Sequence, residues 1–479
     1  MRVQFRIALV SAGLVGLGAV LLLELNRSPQ YFGNPKYLGA ILALEIVLAC
    51  MWRFETAFFP ATMVCFLLAS TWLPFYAESG TLRWLFLTVG ALAGLILWMK
   101  SDRKRHFGAF HLIALFCVLS ALVSASTSPV PSTALLKAGS LFLLFLYSST
   151  GGRVALAGRE QAFVRGVVLA CEILVFVVSI SYFAGYYFFG GTNNLGAIIG
   201  VVATPVLLWA ALTAENRAER QRRYTALALC GVLLYFTVCR AAIVADAVVA
   251  IVLTIAMRRP RLLLKAAFVA ALFLEVVAVT KPSQMARLMN SFSGRFIFKS
   301  IGNRPEVGAL GSRESPWSDT ISSVERHPWF GTGFGTSDLG EKGLDPQGSW
   351  IHTVEGSNRE HGSSYLALAE YMGLLGILPF LFLLILLVRA VARACMWMRR
   401  THSARHYAAP FAMVIVAGLV HASFEDWLFA AGFYLCVFFW VSAFLLVDLT
   451  SEISSDVRQS NPEYSSSLSP AHSFRQPTS

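Results

Sequence analysis

The sequence predicts an all-α fold, a polytopic transmembrane helical bundle with one long extracytoplasmic loop, and three observations carry that prediction. Hydrophobic residues make up 56% of the 479-residue chain and charged residues only 14%, with a mean hydropathy of +0.62. A soluble domain has about a quarter charged residues, so this chain has too few to cover a water-facing surface. Apolar windows of about 17 to 25 residues, long enough to cross a bilayer as a helix, recur so that about twelve to fourteen spans are expected. A single long polar stretch, Lys281 to His361, interrupts them, and its acidic and basic residues balance.

The net charge of +12 reflects topology. The basic residues cluster in short connections: Lys100 to Arg105, Arg217 to Arg223, Arg258 to Lys265, and Arg389 to Arg405. The connections Ser126–Ser132 and Tyr187–Thr192 carry no Lys or Arg. Strict alternation of spans places all four basic clusters on one side, and the positive-inside rule makes that side the cytoplasm. Both termini then fall inside and the long loop outside. Nucleic-acid binding is excluded as the reason for the basic excess.

Along the chain, Ile7 to Leu25 follows a basic start (Arg2, Arg6) without a small-residue cleavage site, and is expected to remain as helix 1. Further spans to about Thr280 make residues 1–280 the first membrane unit. Within it, Tyr224–Val238 and Ala241–Met257 form a hairpin whose outer turn is Cys239-Arg240. Residues 281–361 form the extracytoplasmic, periplasmic loop, expected to fold into short helices against the membrane. Residues 362–449 supply the last three spans, the first over about Ser363–Val388. Residues 450–479, rich in Ser, Pro, Asn and Gln, are expected to be a disordered cytoplasmic tail.

The eight cysteines lie in or beside apolar runs, with no CxxC pair and no metal-ligand spacing. Neither a disulfide framework nor a zinc site is supported. No cofactor is expected.

Three stretches could carry chemistry. Gly311 to Trp317 leads into Asp319–Arg326, where Ile321 and Val324 give the spacing of a short amphipathic helix. His327-Pro328 then ends that helix before a turn with Gly331, Gly333 and Gly335. That GxGxG lacks the strand-to-helix context of a nucleotide fold and suits a tight turn better than a phosphate cradle. Finally, Glu360-His361-Gly362-Ser363-Ser364-Tyr365-Leu366 runs into Glu370 and the Gly373–Gly376 stretch.

In order and spacing these stretches resemble the O-antigen ligases and the O-antigen or exopolysaccharide polymerases, a superfamily of polytopic membrane glycosyltransferases. The family pattern is an Arg four residues before a Trp, a short helix, a His-Pro and a GxGxG-like turn. After a variable insert come a His near a Tyr-Leu and then a Glu separated by two residues from Gly-Leu-Leu-Gly. Arg313, Trp317, His327-Pro328, Gly331, Gly333, Gly335, His361, Tyr365-Leu366, Glu370 and Gly373–Gly376 match it. The chain departs from it in having Cys239 before Arg240, where the family often has Ser. It departs again in placing His361 four residues before Tyr365, followed by Gly362.

The resemblance implies transfer or polymerisation of a glycan from an undecaprenyl-diphosphate donor at the outer face of a bacterial inner membrane. The acceptor would be another glycan or a lipid A-core sugar, with polymerase slightly favoured over ligase. It implies a metal-independent, inverting reaction. His361 would be the base, since imidazole titrates near working pH. Arg313 and Arg240 would clamp the leaving diphosphate with their bidentate forks. Trp317, Glu370 and Tyr365 would bind substrate. Bland roles stand beside these: a snorkelling Arg240, a surface ion pair for Arg313, a helix-cap His361, an interfacial Trp317. Asn193 and Asn194 suit a helix cap better than a glycan contact. A lipid-linked-glycan flippase or other transporter would share the helix count and buried acids, and a non-catalytic scaffold is the third class.

Overall fold

The computed structural model describes residues 35–73, 76–100, 107–189, 191–280, 283, 311–337 and 361–459. Helix 1 and most of the long loop expected from the sequence lie outside them. The described residues are helical throughout, with one isolated bridge, Thr71 to Phe189, in place of a sheet.

In chain order the helices are α1 (Pro35–Trp52), α2 (Phe59–Leu68), α3 (Tyr76–Met99), α4 (Ala109–Ser126), α5 (Pro131–Ser149), α6 (Gly151–Leu156) and α7 (Glu160–Phe183). Next come α8 (Thr192–Ile198), α9 (Thr204–Thr213), α10 (Arg217–Thr237), α11 (Arg240–Ala256) and α12 (Arg261–Thr280). The cap helix α13 (Gly311–Arg326) precedes α14 (Ser364–Gly376), α15 (Leu378–Thr401), α16 (Ala408–His421) and α17 (Tyr434–Gln459). Single π-turns at Phe54–Phe58 and Ile199–Ala203 join α2 and α9 to what precedes them.

Among the described residues, seven helical stretches are long and apolar enough to cross a membrane, and three shorter apolar helices accompany them. The chain is a multi-pass membrane protein. Rows of large apolar side chains face outward, among them Leu115, Phe116 and Leu119 on α4 and Leu381, Phe382 and Ile385 on α15. A water-facing surface would not carry such rows, but lipid accepts them. The stretch Tyr434–Ser451 of α17 is 89% buried, against 33% for the spanning part of α15, so α17 is the central post of the bundle.

The two ends of the bundle differ in chemistry. At one, Ser128 meets Thr336, Trp72 meets Phe188, Tyr434 meets Asn194 and Ser364 meets Glu425, which gathers the inter-helix turns under the cap. At the other lie the basic connections, with Arg153–Asp448, Arg222–Glu172 and Arg405–Glu215 ion pairs.

Four expectations need correction. The span expected over Ser363–Val388 is two helices, because Gly373 at φ 61° and ψ −176° leaves the helical region and breaks the ladder. The short helix expected from Asp319 starts at Gly311 and passes through Pro316, with Thr320 Oγ1 donating to the Pro316 carbonyl at 2.7 Å. The last helix runs on to Gln459, past the end of the apolar run at Leu449, and Thr450 and Ser451 hydroxyls bond back to preceding carbonyls within it. Asn193 and Asn194 do not cap α8, since Gly191 is its N-cap residue and their carbonyls serve other elements.

Candidate active site

The cap is fastened to the bundle by backbone pairing at a helix break. After α13 ends at Arg326, the residue preceding a proline is steered away from helix, and His327-Pro328 begins a turn. Gly331, Gly333 and Gly335 take φ of 71°, 104° and 73°. Thr332 N donates to Glu370 O at 2.9 Å and Gly333 N to Tyr371 O at 3.2 Å. In return, Leu374 N donates to Pro328 O at 2.7 Å and Leu375 N to Trp329 O at 3.2 Å. The break at Gly373 therefore frees amides and carbonyls that the glycine turn takes up. A Cβ at Gly373 would stand 2.5 Å from the Trp329 carbonyl carbon, and one at Gly331 would collide with the Glu370 carbonyl. The glycines are there for close approach of two backbones, and the amides of Thr332 and Gly333 are already engaged.

This docking delivers Glu370 and Tyr371 to one side of His361. The imidazole is fully buried. Its Nδ1 lies 2.6 Å from Asp426 Oδ2, and its Nε2 lies 3.1 Å from both Ser337 Oγ and Glu370 Oε2. Tyr371 Oη sits 3.4 Å from Nδ1 and donates to Asp426 Oδ2 at 3.4 Å. Ser323 of α13 donates to Glu370 Oε1 at 3.0 Å, so the cap helix fixes the carboxylate that fixes the imidazole. Burial favours a neutral ring, but hydrogen bonds and charge from Asp426 and Glu370 outweigh it and raise the His361 pKa above its ordinary value. A neutral imidazole has a single N–H; with that on Nδ1 directed to Asp426, Nε2 is left as an acceptor for the Ser337 hydroxyl.

The cations lie beside this cluster. Arg313 forms an ion pair with Glu425, and both are largely buried, at 14% and 20% side-chain exposure. One turn on, Trp317 Nε1 donates to Gly362 O at 3.1 Å, tying α13 to the residue after His361. Arg240 opens α11 just after the left-handed Val238 (φ 55°). Burial, and then the positive charge of Arg313, lower its proton affinity, so the two guanidiniums act on each other. An anion placed within reach of both would be stabilised by their charge. Beneath Arg240, Cys239 is buried with Sγ 4.0 Å from His421 Nε2, and Trp427 Nε1 donates to His421 Nδ1 at 2.9 Å.

Of the six residues singled out in the sequence, His361 and Glu370 are in direct contact, Trp317 holds the adjoining backbone, Arg313 pairs with Glu425 beside Asp426, and Arg240 feels the positive charge of Arg313. Tyr365 is different. Its hydroxyl donates to Leu419 O at 2.8 Å, which ties α14 to α16. Four polar partners were missed: Glu425 and Asp426, in the turn between α16 and α17, Ser337 at the end of the glycine turn, and Lys137 on α5. Lys137 Nζ donates to Gly335 O. A signal existed for each charged one. Glu425-Asp426 is an acidic pair between the last two apolar runs, and Lys137 is a lone lysine in an apolar helix.

A pocket of about 250 Å³ opens at the same end. Trp72, Tyr182, Tyr186, Tyr187 and Phe189 give it aromatic walls, and Thr192 and Leu195 close it. It adjoins the Arg240 turn through Asn193, whose carbonyl faces Cys239 Sγ at 4.0 Å.

Residues 225–381 match the family model described as O-antigen ligase, from α10 through the break at Gly373 into α15. Arg240, Arg313, His361 and Glu370 fall inside the match, whereas Lys137, Glu425 and Asp426 fall outside it. No curated protein matches the chain.

Proposed function

We propose that this chain, whose residues 225–381 match the O-antigen ligase family model, acts as a member of that superfamily and moves a glycan from a polyprenyl diphosphate onto an acceptor sugar hydroxyl at the outer face of a bacterial inner membrane. The observation that carries the reading is the buried His361, held between Asp426 and Glu370 and next to the Arg313–Arg240 cation pair. His361 and Glu370 together supply a proton acceptor. The acceptor hydroxyl loses its proton to that pair as its oxygen attacks the anomeric carbon. The bond from that carbon to the diphosphate oxygen breaks, its electron pair leaves with the diphosphate, and configuration inverts. Arg313 and Arg240 take the charge that develops on the leaving group, a role that preorganised cations fill without a metal. Glu425 holds Arg313 until the diphosphate takes its place.

The apolar, aromatic pocket beside the Arg240 turn supports a donor whose diphosphate carries an isoprenoid chain, since hydrocarbon is at home against such walls. Both termini are cytoplasmic in this reading, residues 281–361 are periplasmic, and the four basic connections face the cytoplasm. A polymerase acting on glycan repeats is the preferred form, with a lipid A-core ligase as its sister. The test is reconstitution with a polyprenyl-diphosphate oligosaccharide and either a second copy of it or a lipid A-core acceptor. Elongated lipid-linked product supports the polymerase, and capped lipid A-core the ligase. Movement of the donor across the bilayer with no new glycosidic bond would sink the proposal.

A further inference from the structure

We propose that Asp246, Thr204 and the Gly200 carbonyl form an intramembrane site for one sodium ion, about 9 Å below Arg240 along α11. The proposal does not depend on the transfer reading and is tested without it.

Both oxygens of Asp246 and the hydroxyl of Thr204 are buried, and none has a hydrogen-bond partner among the described residues. Asp246 stands in the apolar helix α11, whose only other polar side chains are Arg240 and Thr254. An ionised carboxylate in such a place needs a cation beside it. The elements packed against α11 do not bring one. α8 and α9 carry no charged side chain. Arg261, Lys265 and Glu275 of α12 and the arginines of α15 are exposed. α16 offers only His421, at its outer end beside Cys239. From α10, which packs on α9, comes the buried thiol of Cys230.

What the neighbouring helices bring to this depth is oxygen. A Cβ on Gly196 would stand 2.2 Å from Cys239 Cβ, and one on Gly200 2.6 Å from Ala242 Cβ. The close approach thus moves inward along α8 and α11 together, so the two segments run parallel in register. The next turn puts Thr204 opposite Ala245 and Asp246, where its hydroxyl acts on the carboxylate. The π-turn between α8 and α9 supplies a third oxygen. Thr204 N donates to Ile199 O in place of Gly200 O. The residue that follows is Pro205, which has no N–H, so the Gly200 carbonyl loses both of the donors a helix would give it. Helix carbonyls point toward the C-terminal end, which here is toward Thr204. Such π-turns recur at functional sites.

A carboxylate, a hydroxyl and a carbonyl released from a helix are hard oxygen donors, and interrupted membrane helices use such carbonyls to hold Na+. A single carboxylate balances a single charge, which suits a monovalent ion better than Ca2+ or Mg2+. A carboxyl neutralised by a proton would instead hydrogen-bond one of these neighbouring oxygens, and Asp246 makes no such bond.

The test melts full-length wild type, Asp246→Asn and Thr204→Val in lipid nanodiscs, in sodium chloride or choline chloride at equal ionic strength, from pH 6 to 8. Sodium is expected to raise the wild-type midpoint saturably, because a ligand of the folded state alone stabilises it by mass action. Asp246→Asn keeps the shape without the charge and should melt alike in both salts. Thr204→Val should need about tenfold more sodium for the same rise, as for loss of one ligand of hydrogen-bond strength. Where Asp246→Asn fails to fold, that tenfold shift decides. Equal wild-type midpoints in the two salts at every pH would overturn the proposal, as would a sodium effect that Asp246→Asn retains. A midpoint that follows pH but ignores sodium would make Asp246 a carboxyl neutralised by a proton, and would overturn it too.

Discussion

His361 Nδ1 and Asp426 Oδ2 lie 2.6 Å apart although three helices, α14, α15 and α16, separate the two residues along the chain. The imidazole is therefore oriented from the far end of the chain, by a residue outside the segment that matches the family. Asp426→Asn should keep the fold but lose one of the two carboxylates that raise the imidazole's proton affinity. The acid limb of kcat/KM should then move to lower pH, while kcat falls by on the order of 10²- to 10⁴-fold. A pH-rate profile of the purified variant checks both signs.

The same raised affinity makes a stability prediction. A group whose folded pKa exceeds its unfolded value stabilises the fold fully below the unfolded value, about 6.5 for histidine, and stops doing so as pH rises through the folded one. The thermal midpoint of wild type should therefore exceed that of His361→Gln most near pH 6, with the gap narrowing as the solution becomes alkaline. Melting curves in detergent across that window would show a constant gap if the carboxylates did not act on the ring.

Gly373→Ala tests how the cap is fastened. The alanine Cβ would meet the Trp329 carbonyl carbon at 2.5 Å, and its φ of 61° is strained for any L side chain. Strain alone costs about 1–3 kcal/mol. The glycine turn should lift from α14, with a loss of transfer activity and faster hydrogen exchange at Thr332, Gly333, Leu374 and Leu375. Gly139→Ala is the control, because its Cβ would meet nothing within 4 Å.

At the opposite end, Arg153 Nε lies 2.5 Å from Asp448 Oδ2 with side chains 2% and 6% exposed. Breaking a buried pair on one side strands a charge and costs about 3–5 kcal/mol. Asp448→Asn should lower the thermal midpoint without moving the pH-rate profile, which separates general destabilisation from the site-specific shifts above.

Arg313→Lys keeps the charge but gives up the planar fork. If Arg313 binds the leaving diphosphate, the substitution should cost at least tenfold in kcat/KM, and Arg313→Ala on the order of 10²- to 10³-fold, as for loss of one preorganised donor to developing charge. Steady-state kinetics on the two variants checks the ordering.

The all-α membrane fold was legible because lipid imposes a composition and a span length that hydropathy reports directly. The Arg240 hairpin was legible too, since Cys239-Arg240 interrupts two apolar runs. The break at Gly373 was not, because Gly-Leu-Leu-Gly is apolar enough to continue a span and only the partner backbone at Pro328–Gly333 makes the kink favourable. His361 and Glu370 were reached through motifs that resemble the ligase and polymerase family, and the fold brings the two into contact. Asp426 and Lys137 could not be joined to them, since their contacts depend on how α5 and the α16–α17 turn pack around the central α17, which no local pattern encodes. Tyr365 matched a motif, yet its hydroxyl is taken by the Leu419 carbonyl.

The central claim is that a glycosidic bond forms at His361. The most direct measurement is glycan transfer from a polyprenyl-diphosphate oligosaccharide by purified wild type and His361→Ala in nanodiscs, with donor binding measured in parallel. The account predicts new glycosidic product from wild type and at least a roughly 10²-fold lower kcat for His361→Ala, with donor affinity little changed. Wild-type turnover by His361→Ala would contradict it.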